Sequence, residues 1–219
     1  MALPPAADTL SPERRARILE GAARVFAREG YEGASMAGIA SETGVSKGTL
    51  YNYFPGKAAL FTAHVIGTCE QKLGHIFDFA PGEPDPAVCL RHIARAMIEM
   101  MFSPIGLEIY RVVVSEAAKF PALARSFFDA GPARAVATMS AWLAEQTRLG
   151  RLDVEDPVFA AEQFFGLCQT RLSMRCRLMI ITELTDAEID QVVEGAITMF
   201  LSMYGARRPA RLSAVSNDN

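Results

Sequence analysis

Between Ser46 and Lys57 the chain reads SKGTLYNYFPGK, a run of amines, hydroxyls, an amide and phenols without one carboxylate. Lys47, Thr49, Tyr51, Asn52 and Tyr53 offer donors and flat rings, the groups that engage a phosphate backbone and base edges. Thr49 can give a hydroxyl bond to a base edge or touch a thymine methyl. Gly48 lacks a side chain where a backbone would have to approach a partner closely. Leu50 and Phe54, four apart, turn the other way toward a core. The chemistry this spacing predicts is anion binding along one face of a short helix.

A scaffold for that face is written in the preceding residues. Ser35 can cap a helix start, and Met36, Ile39 and Ala40 fall three and four apart on one buried side. Gly44 suits the left-handed turn that ends a helix, and Ser46 caps the next. Two short helices joined by a glycine turn predict a helix-turn-helix, whose second helix enters the DNA major groove. Ser11-Pro12 opens an earlier helix with Ile18, Ala22, Val25 and Phe26 as its inner stripe, and Gly30 marks its end. Lys57 begins a fourth helix running through Leu60, Phe61, Val65 and Ile66 toward Phe77, and helix-end amides there can face a phosphate. From Ser11 to Lys57 seven basic residues oppose five acids, a local +2 in a chain whose net charge is −3. Binding by shape and a few directed cations fits that balance, and a general polyanion binder does not. Arg14, Arg15 and Arg17 read either as phosphate contacts or as solvated charges.

The rest of the chain predicts helices with proline and glycine punctuation. Pro81-Gly82-Glu83-Pro84-Asp85-Pro86 breaks the fourth helix. Segments follow over Val88–Phe102 and Ile105–Lys119, with a restart at Pro121, an interruption at Gly131-Pro132 and a helix to Gly150. Asp156-Pro157 starts another helix, and Thr185 to Glu188 is a capping-box pattern opening the last. Arg111-Val112-Val113-Val114 is the one candidate strand, with helical flanks. The expectation is an all-α fold of about nine helices. Its parts are an arm over 1–12, a helix-turn-helix head over 13–58, a ligand-binding and dimerisation body over 59–205 and a disordered tail over 206–219.

Other chemistries find little footing. Cys69, Cys89, Cys168 and Cys176 form no CxxC pair and have no histidine at ligand spacing. On one helix Cys168 and Cys176 would lie about 12 Å apart, too far to bridge, so buried free thiols are expected. His64, His75 and His92 lack triad or metal spacing, there is no Gly-rich phosphate loop, and no catalytic residue, metal or cofactor is expected. No apolar run reaches membrane-span length and no signal pattern opens the chain, which predicts a soluble cytoplasmic protein without a membrane partner. A helix-turn-helix used for protein docking is the rival reading, and salt dependence of duplex binding separates the two.

The run from Arg14 through ILEGAARVFAREGYEGASMAGIASETGVSKGTLYNYFPGKAALF resembles the DNA-binding head of the TetR/AcrR family of bacterial transcriptional regulators. GVSKGTLYNYFPGKAALF is its most specific piece. RVVVSEAAKFPALARSFFDAGPARA and GRLDVEDPVFAAEQFFGL resemble the AefR-like subgroup, and the likeness covers roughly residues 13 to 204. It implies a homodimeric all-helical regulator in which a ligand in the body changes the separation or mobility of two heads. A repressor released by its effector is the expectation, and an activator of the same family is the alternative. Ser35 then matches a phosphate contact at the start of the second helix, and Ser46, Lys47, Gly48 and Thr49 match the start of the recognition helix. Tyr51, Asn52 and Tyr53 match groove and phosphate contacts, with Tyr53 the more core-facing of the tyrosines. Lys57 matches the phosphate contact at the following helix start. Arg14 joins them as a candidate DNA contact.

In the body, flexible thioethers run through the middle helices, and an apolar or amphipathic small-molecule effector is expected. Met97, Met101, Tyr110, Trp142, Gln163 and Phe164 are the candidate cavity residues. By resemblance the last two helices form the dimer interface, with Phe165, Leu172, Val193, Ile197, Phe200 and Leu201 as candidate contacts. A double-stranded, pseudo-palindromic DNA operator is the expected partner, because one short helix reads only a few base pairs.

Overall fold

The computed structural model describes residues 11–77 and 85–206. The expected arm before Ser11, the Pro81–Pro84 break and the tail after Ala206 lie outside them. Among the described residues the fold is all-α: eleven α-helices, one short π-helical segment and a lone antiparallel bridge between Leu152 and Gly205. The helices are α1 (Pro12–Gly33), α2 (Met36–Thr43), α3 (Lys47–Tyr53), α4 (Lys57–Ile76), α5 (Pro86–Met101) and α6 (Pro104–Glu116), then α7 (Pro121–Phe128), α8 (Arg134–Arg148), α9 (Pro157–Gln169), α10 (Ser173–Arg177) and α11 (Asp186–Tyr204).

Local chemistry sets most of the starts. Ser11, Ser35, Ser46, Asp85, Ser103 and Asp156 each accept a backbone N–H at the head of their helix, and Thr185 with Glu188 completes a reciprocal capping box. Four of these caps are followed at once by proline, whose missing N–H costs nothing there. Gly30 takes φ 68° and ψ 173°, so the regular turns of α1 stop where its position predicts. The valine run at 112–114 is helix throughout. Two expectations need correction. Gly131-Pro132 does not interrupt the chain: a π-helical turn over Asp129–Ala133 absorbs the proline and carries α7 into α8. The body also holds an extra short helix, α10, which has no side-chain cap to announce it.

Two apolar cores form. The body core joins α5, α8, α9 and α11 through Leu90, Ile93, Met139, Leu143, Phe164 and Phe200. The head core joins Ile18, Val25, Phe26, Ile39, Leu50 and Phe54 to Leu60, Phe61 and Val65 of α4, and also to Ile109 and Val113 of α6 and Leu123 of α7. A boundary at 58 therefore cuts through one core. The three helices of the head share their core with the inner faces of α4, α6 and α7.

Candidate nucleic-acid interface

Helix α2 is pinned at both ends. Ser35 Oγ accepts from Gly38 N at 3.0 Å, and Gly44 at φ 67° turns the chain while its N–H returns to Ala40 O and Ser41 O. A Cβ at Gly21 would fall 2.3 Å from Thr43 Cγ2, so glycine there lets α1 and α2 close together. Helix α3 starts on Ser46, whose Oγ accepts from Thr49 N at 3.0 Å and lies 2.9 Å from Thr49 Oγ1. Leu50 and Phe54 are fully buried beneath it, each contributing roughly 1.5–3 kcal/mol of burial.

That anchoring leaves Lys47, Gly48, Tyr51 and Asn52 exposed, with Thr49 half-buried beside them. A Cβ on Gly48 would meet nothing nearer than Ser46 Oγ at 3.8 Å. Nothing inside the fold requires glycine at that position. Tyr53 behaves differently: its hydroxyl accepts from Ser11 N at 2.8 Å, tying the end of α3 to the start of α1 across 42 residues. Arg15 stacks over Phe54 at 5.3 Å and strengthens the same junction. Lys57 donates to Tyr31 O at 2.6 Å and Glu32 O at 3.3 Å and lies 4.5 Å from the centre of the Tyr31 ring. Its ammonium closes the end of α1 and keeps one N–H for an outside acceptor. No local sequence signal announces either the Ser11–Tyr53 tie or the Lys57 clasp, since both join residues far apart in the chain.

The head's charge is partly consumed inside it. Arg24 pairs with Glu42 at 2.9 Å, and Arg28 reaches Glu29 at 2.9 Å and Glu42 at 3.5 Å. The Arg24 hydrogen bond holds the Glu42 carboxyl below its usual range, so it stays ionised and paired. The positive balance then rests on Arg14, Arg15, Arg17, Lys47 and Lys57 against Glu13, Glu20 and Glu32.

The candidate effector residues do not converge. Met97 and Phe164 are buried in the body core, Phe164 edge-on to Phe200 at 5.2 Å, with Met101 and Trp142 packed around it. Tyr110 instead lies under the Arg177 guanidinium at 3.8 Å, and Gln163 is exposed, accepting from the Tyr204 hydroxyl. The dimer candidates need a firmer correction. Phe165, Leu172, Val193, Ile197 and Phe200 are all buried within the single chain, and only Leu201 is half-exposed. Side chains packed inside one core have no surface to give a partner. The apolar groups that α9 and α11 do expose are Val158, Phe159, Met199 and Met203. Cys89, Cys168 and Cys176 are buried and outside any disulfide, and burial pushes Cys168 up to about 12, which makes it inert.

A helix-turn-helix with an acid-free, solvent-facing second helix, carried on a larger helical body, defines a DNA-binding transcriptional regulator. Residues 18–64 match the family of bacterial regulatory proteins called tetR, and residues 89–206 match the C-terminal domain of AefR-like transcriptional repressors. The chain belongs to the TetR family, a family of transcription regulators and not of enzymes. It is similar to the flavonoid-responsive regulator FrrA, 29% identical with a TM-score of 0.73 over 90% of this chain and 100% of that one. A TetR family regulator from Pseudomonas syringae pv. tomato is 28% identical with a TM-score of 0.65, over 90% and 100% of the two chains. The HTH-type transcriptional repressor AcnR of Corynebacterium diphtheriae is 41% identical over 61 residues, 28% of this chain and 32% of that protein. The chain thus spans about a third of the length of the curated relatives it matches. No helix among the described residues is long and apolar enough to cross a membrane.

Proposed function

We propose that the chain is an effector-released cytoplasmic repressor that binds a pseudo-palindromic operator as a homodimer. The observation that carries this reading is the exposed face of α3, where Lys47, Gly48, Tyr51 and Asn52 stand clear of any carboxylate while Leu50 and Phe54 fix the helix from beneath. Ser35 and the first amides of α2, the Lys57 region and Arg14 supply phosphate contacts around it, and Thr49 with Tyr51 reads base edges. Tyr53 acts mainly by holding α3 against α1.

Dimerisation supplies the second reading head. Val158 and Phe159 on α9 and Met199 and Met203 on α11 are more than half exposed, and the two methionines line a groove of about 370 Å³ whose wall includes Gly166, Leu167 and Thr170. Exposed apolar surface on two neighbouring helices, with a glycine allowing close approach, suits helix-on-helix packing between two copies. An apolar or amphipathic effector then favours a form whose heads no longer fit both half-sites, with a coupling of about 1–3 kcal/mol, a five- to hundredfold change in DNA affinity. A similar protein, FrrA, is flavonoid-responsive by name, which supports an effector of that general character.

Selection of bound fragments from the source genome, followed by gel shifts across a salt series, tests the proposal. A steep loss of affinity with salt and a two-fold symmetric site are expected. Failure to retain any fragment at low ionic strength would refute it.

A further inference from the structure

The geometry points to a binding site for an amphipathic anion, an apolar body carrying one carboxylate or similar group, in the groove formed by the end of α9, the turn after it and α10. The inference rests on the reading of the chain as effector-responsive and names the class of effector and where it sits. The groove measures about 450 Å³ and is lined by Gln169, Arg171, Ser173, Met174, Arg177 and Leu178. That volume falls within the range of small-molecule sites.

Its lining divides into two chemistries. Met174 and Leu178 are 74% and 64% exposed, an apolar wall left open to solvent. The polar side is cationic: from Gln169 to Thr182 the chain carries three arginines and no acid. Arg177 is held in place, its guanidinium lying 3.8 Å from the centre of the Tyr110 ring and donating to Gln169 Oε1 at 3.2 Å. Gln169 is itself fixed by donating to Phe165 O at 3.2 Å. Stacking and one hydrogen bond orient a guanidinium fork while leaving further N–H groups available, the arrangement that suits a carboxylate. Among the described residues neither Arg171 nor Arg177 has a carboxylate within ion-pair distance. Arg175 reaches Glu188 at 4.0 Å, and Glu188 is also engaged by the Thr185 cap. Both ends of the α10 segment are held in the left-handed region by non-glycine residues, Arg171 at φ 68° and Met179 at φ 57°. Such backbone strain gathers where a segment must hold a particular shape.

The groove also has a direct route to the head. Tyr110, which carries Arg177, sits on α6 beside Ile109, and Ile109 and Val113 are part of the head core. Arg111 of the same helix reaches Met179 Sδ at 3.7 Å. A ligand that engages Arg177 and spreads over Met174 and Leu178 pulls on the helix whose adjacent face closes the DNA-reading head.

Calorimetric titration of the full-length chain with decanoate, decanol and decylamine tests the site. Decanoate is expected to bind, with decanol weaker by about tenfold or more and decylamine weaker still. Arg177→Gln and the exposed Arg171→Gln should each weaken decanoate by about tenfold, Arg171→Gln without altering the melting of the ligand-free protein. Decanol binding as tightly as decanoate, absence of decanoate binding, or full decanoate affinity in both variants would each overturn the site. Gel shifts run in parallel keep the two readings apart. Arginine-dependent decanoate binding that leaves DNA affinity unchanged upholds the site and removes its effector role. Release of DNA by a compound indifferent to both substitutions upholds effector control and overturns this site.

Discussion

Gly48 shows how a single position separates folding from function. It is the second residue of α3, has ordinary helical backbone, and faces open space where a side chain would go. Gly48→Ala should hold or raise stability by up to about 1 kcal/mol, because alanine is the better helix former. The same change puts a methyl group between α3 and a duplex, so DNA affinity should fall. Thermal melts and gel shifts on one sample check both halves, and undiminished binding removes the close-approach role. Lys47 makes a plainer case: its exposed amine has no structural duty, so Lys47→Ala should weaken operator binding and relax sequence preference by a fraction of the ~1–3 kcal/mol of a good base contact. His64 lies half-buried against the head core, its ring 6.2 Å from that of Phe26, and burial lowers its pKa from an ordinary 6.5. The unfolded chain therefore takes up the proton first, and stability falls as pH drops below about 6.5 toward the folded value. His64→Leu should flatten that part of the stability–pH curve, measured by urea unfolding between pH 5 and pH 7.5.

Helix α3 has only seven residues, too few to be stable alone, so its position depends on what holds it. Leu50 and Phe54 hold it from below, Ser46 caps its start, and the Tyr53 hydroxyl ties its end to Ser11. Tyr53→Phe keeps the ring and removes the tie. A stability loss of about 0.5–1.5 kcal/mol is expected, with a DNA affinity loss at least as large, since a loosened α3 presents its contacts less well. Wild-type unfolding and binding curves in that variant would assign Tyr53 to plain packing. At this scale the sequence was highly legible. Ser35, Gly44, Ser46 and the Asp156-Pro157 pair each act within one helical turn, so type and spacing suffice to place the element ends. The π-turn at Gly131-Pro132 was not legible, because whether a proline breaks a helix or widens one turn depends on what packs against it. Here Gly131 is buried, with Cys69 Sγ of α4 only 3.4 Å from where its Cβ would stand.

The whole molecule distributes its apolar surface in a way that bears on assembly. Helices α9 and α11 spend Phe164, Phe165, Ile197 and Phe200 on their own core and leave Val158, Phe159, Met199 and Met203 outside. Met199 and Met203 stand one turn apart on α11, so Met199→Asp with Met203→Asp places two charges on the proposed dimer face. Sedimentation should then show monomers, circular dichroism an unchanged fold, and gel shifts the loss of tight operator binding. A variant that remains dimeric would move the interface elsewhere. The head likewise depends on the molecule as a whole, since α6 stacks Tyr110 on Arg177 of α10 and sends Ile109 and Val113 into the head core.

What the sequence determined alone was local and periodic: an all-helical chain, the helix-turn-helix, the caps, and the acid-free run that faces outward from α3. What only the tertiary structure decided was which of two apolar sides goes inward. In PVFAAEQFFGLCQ and in AITMFLSMY nearly every side offers an apolar group, so periodicity marks no outer face, and five of the six residues expected at a partner surface are core, with Leu201 half-exposed. It also decided where long side chains spend their donors. Lys57 is an amine at a helix start in the sequence, and becomes a clasp on Tyr31 and Glu32 only because folding brings two distant carbonyls within its reach. Signals that act within a turn of helix survive in the order of residues, whereas a choice between two apolar faces, or between solvent and a distant acceptor, is made by the rest of the fold.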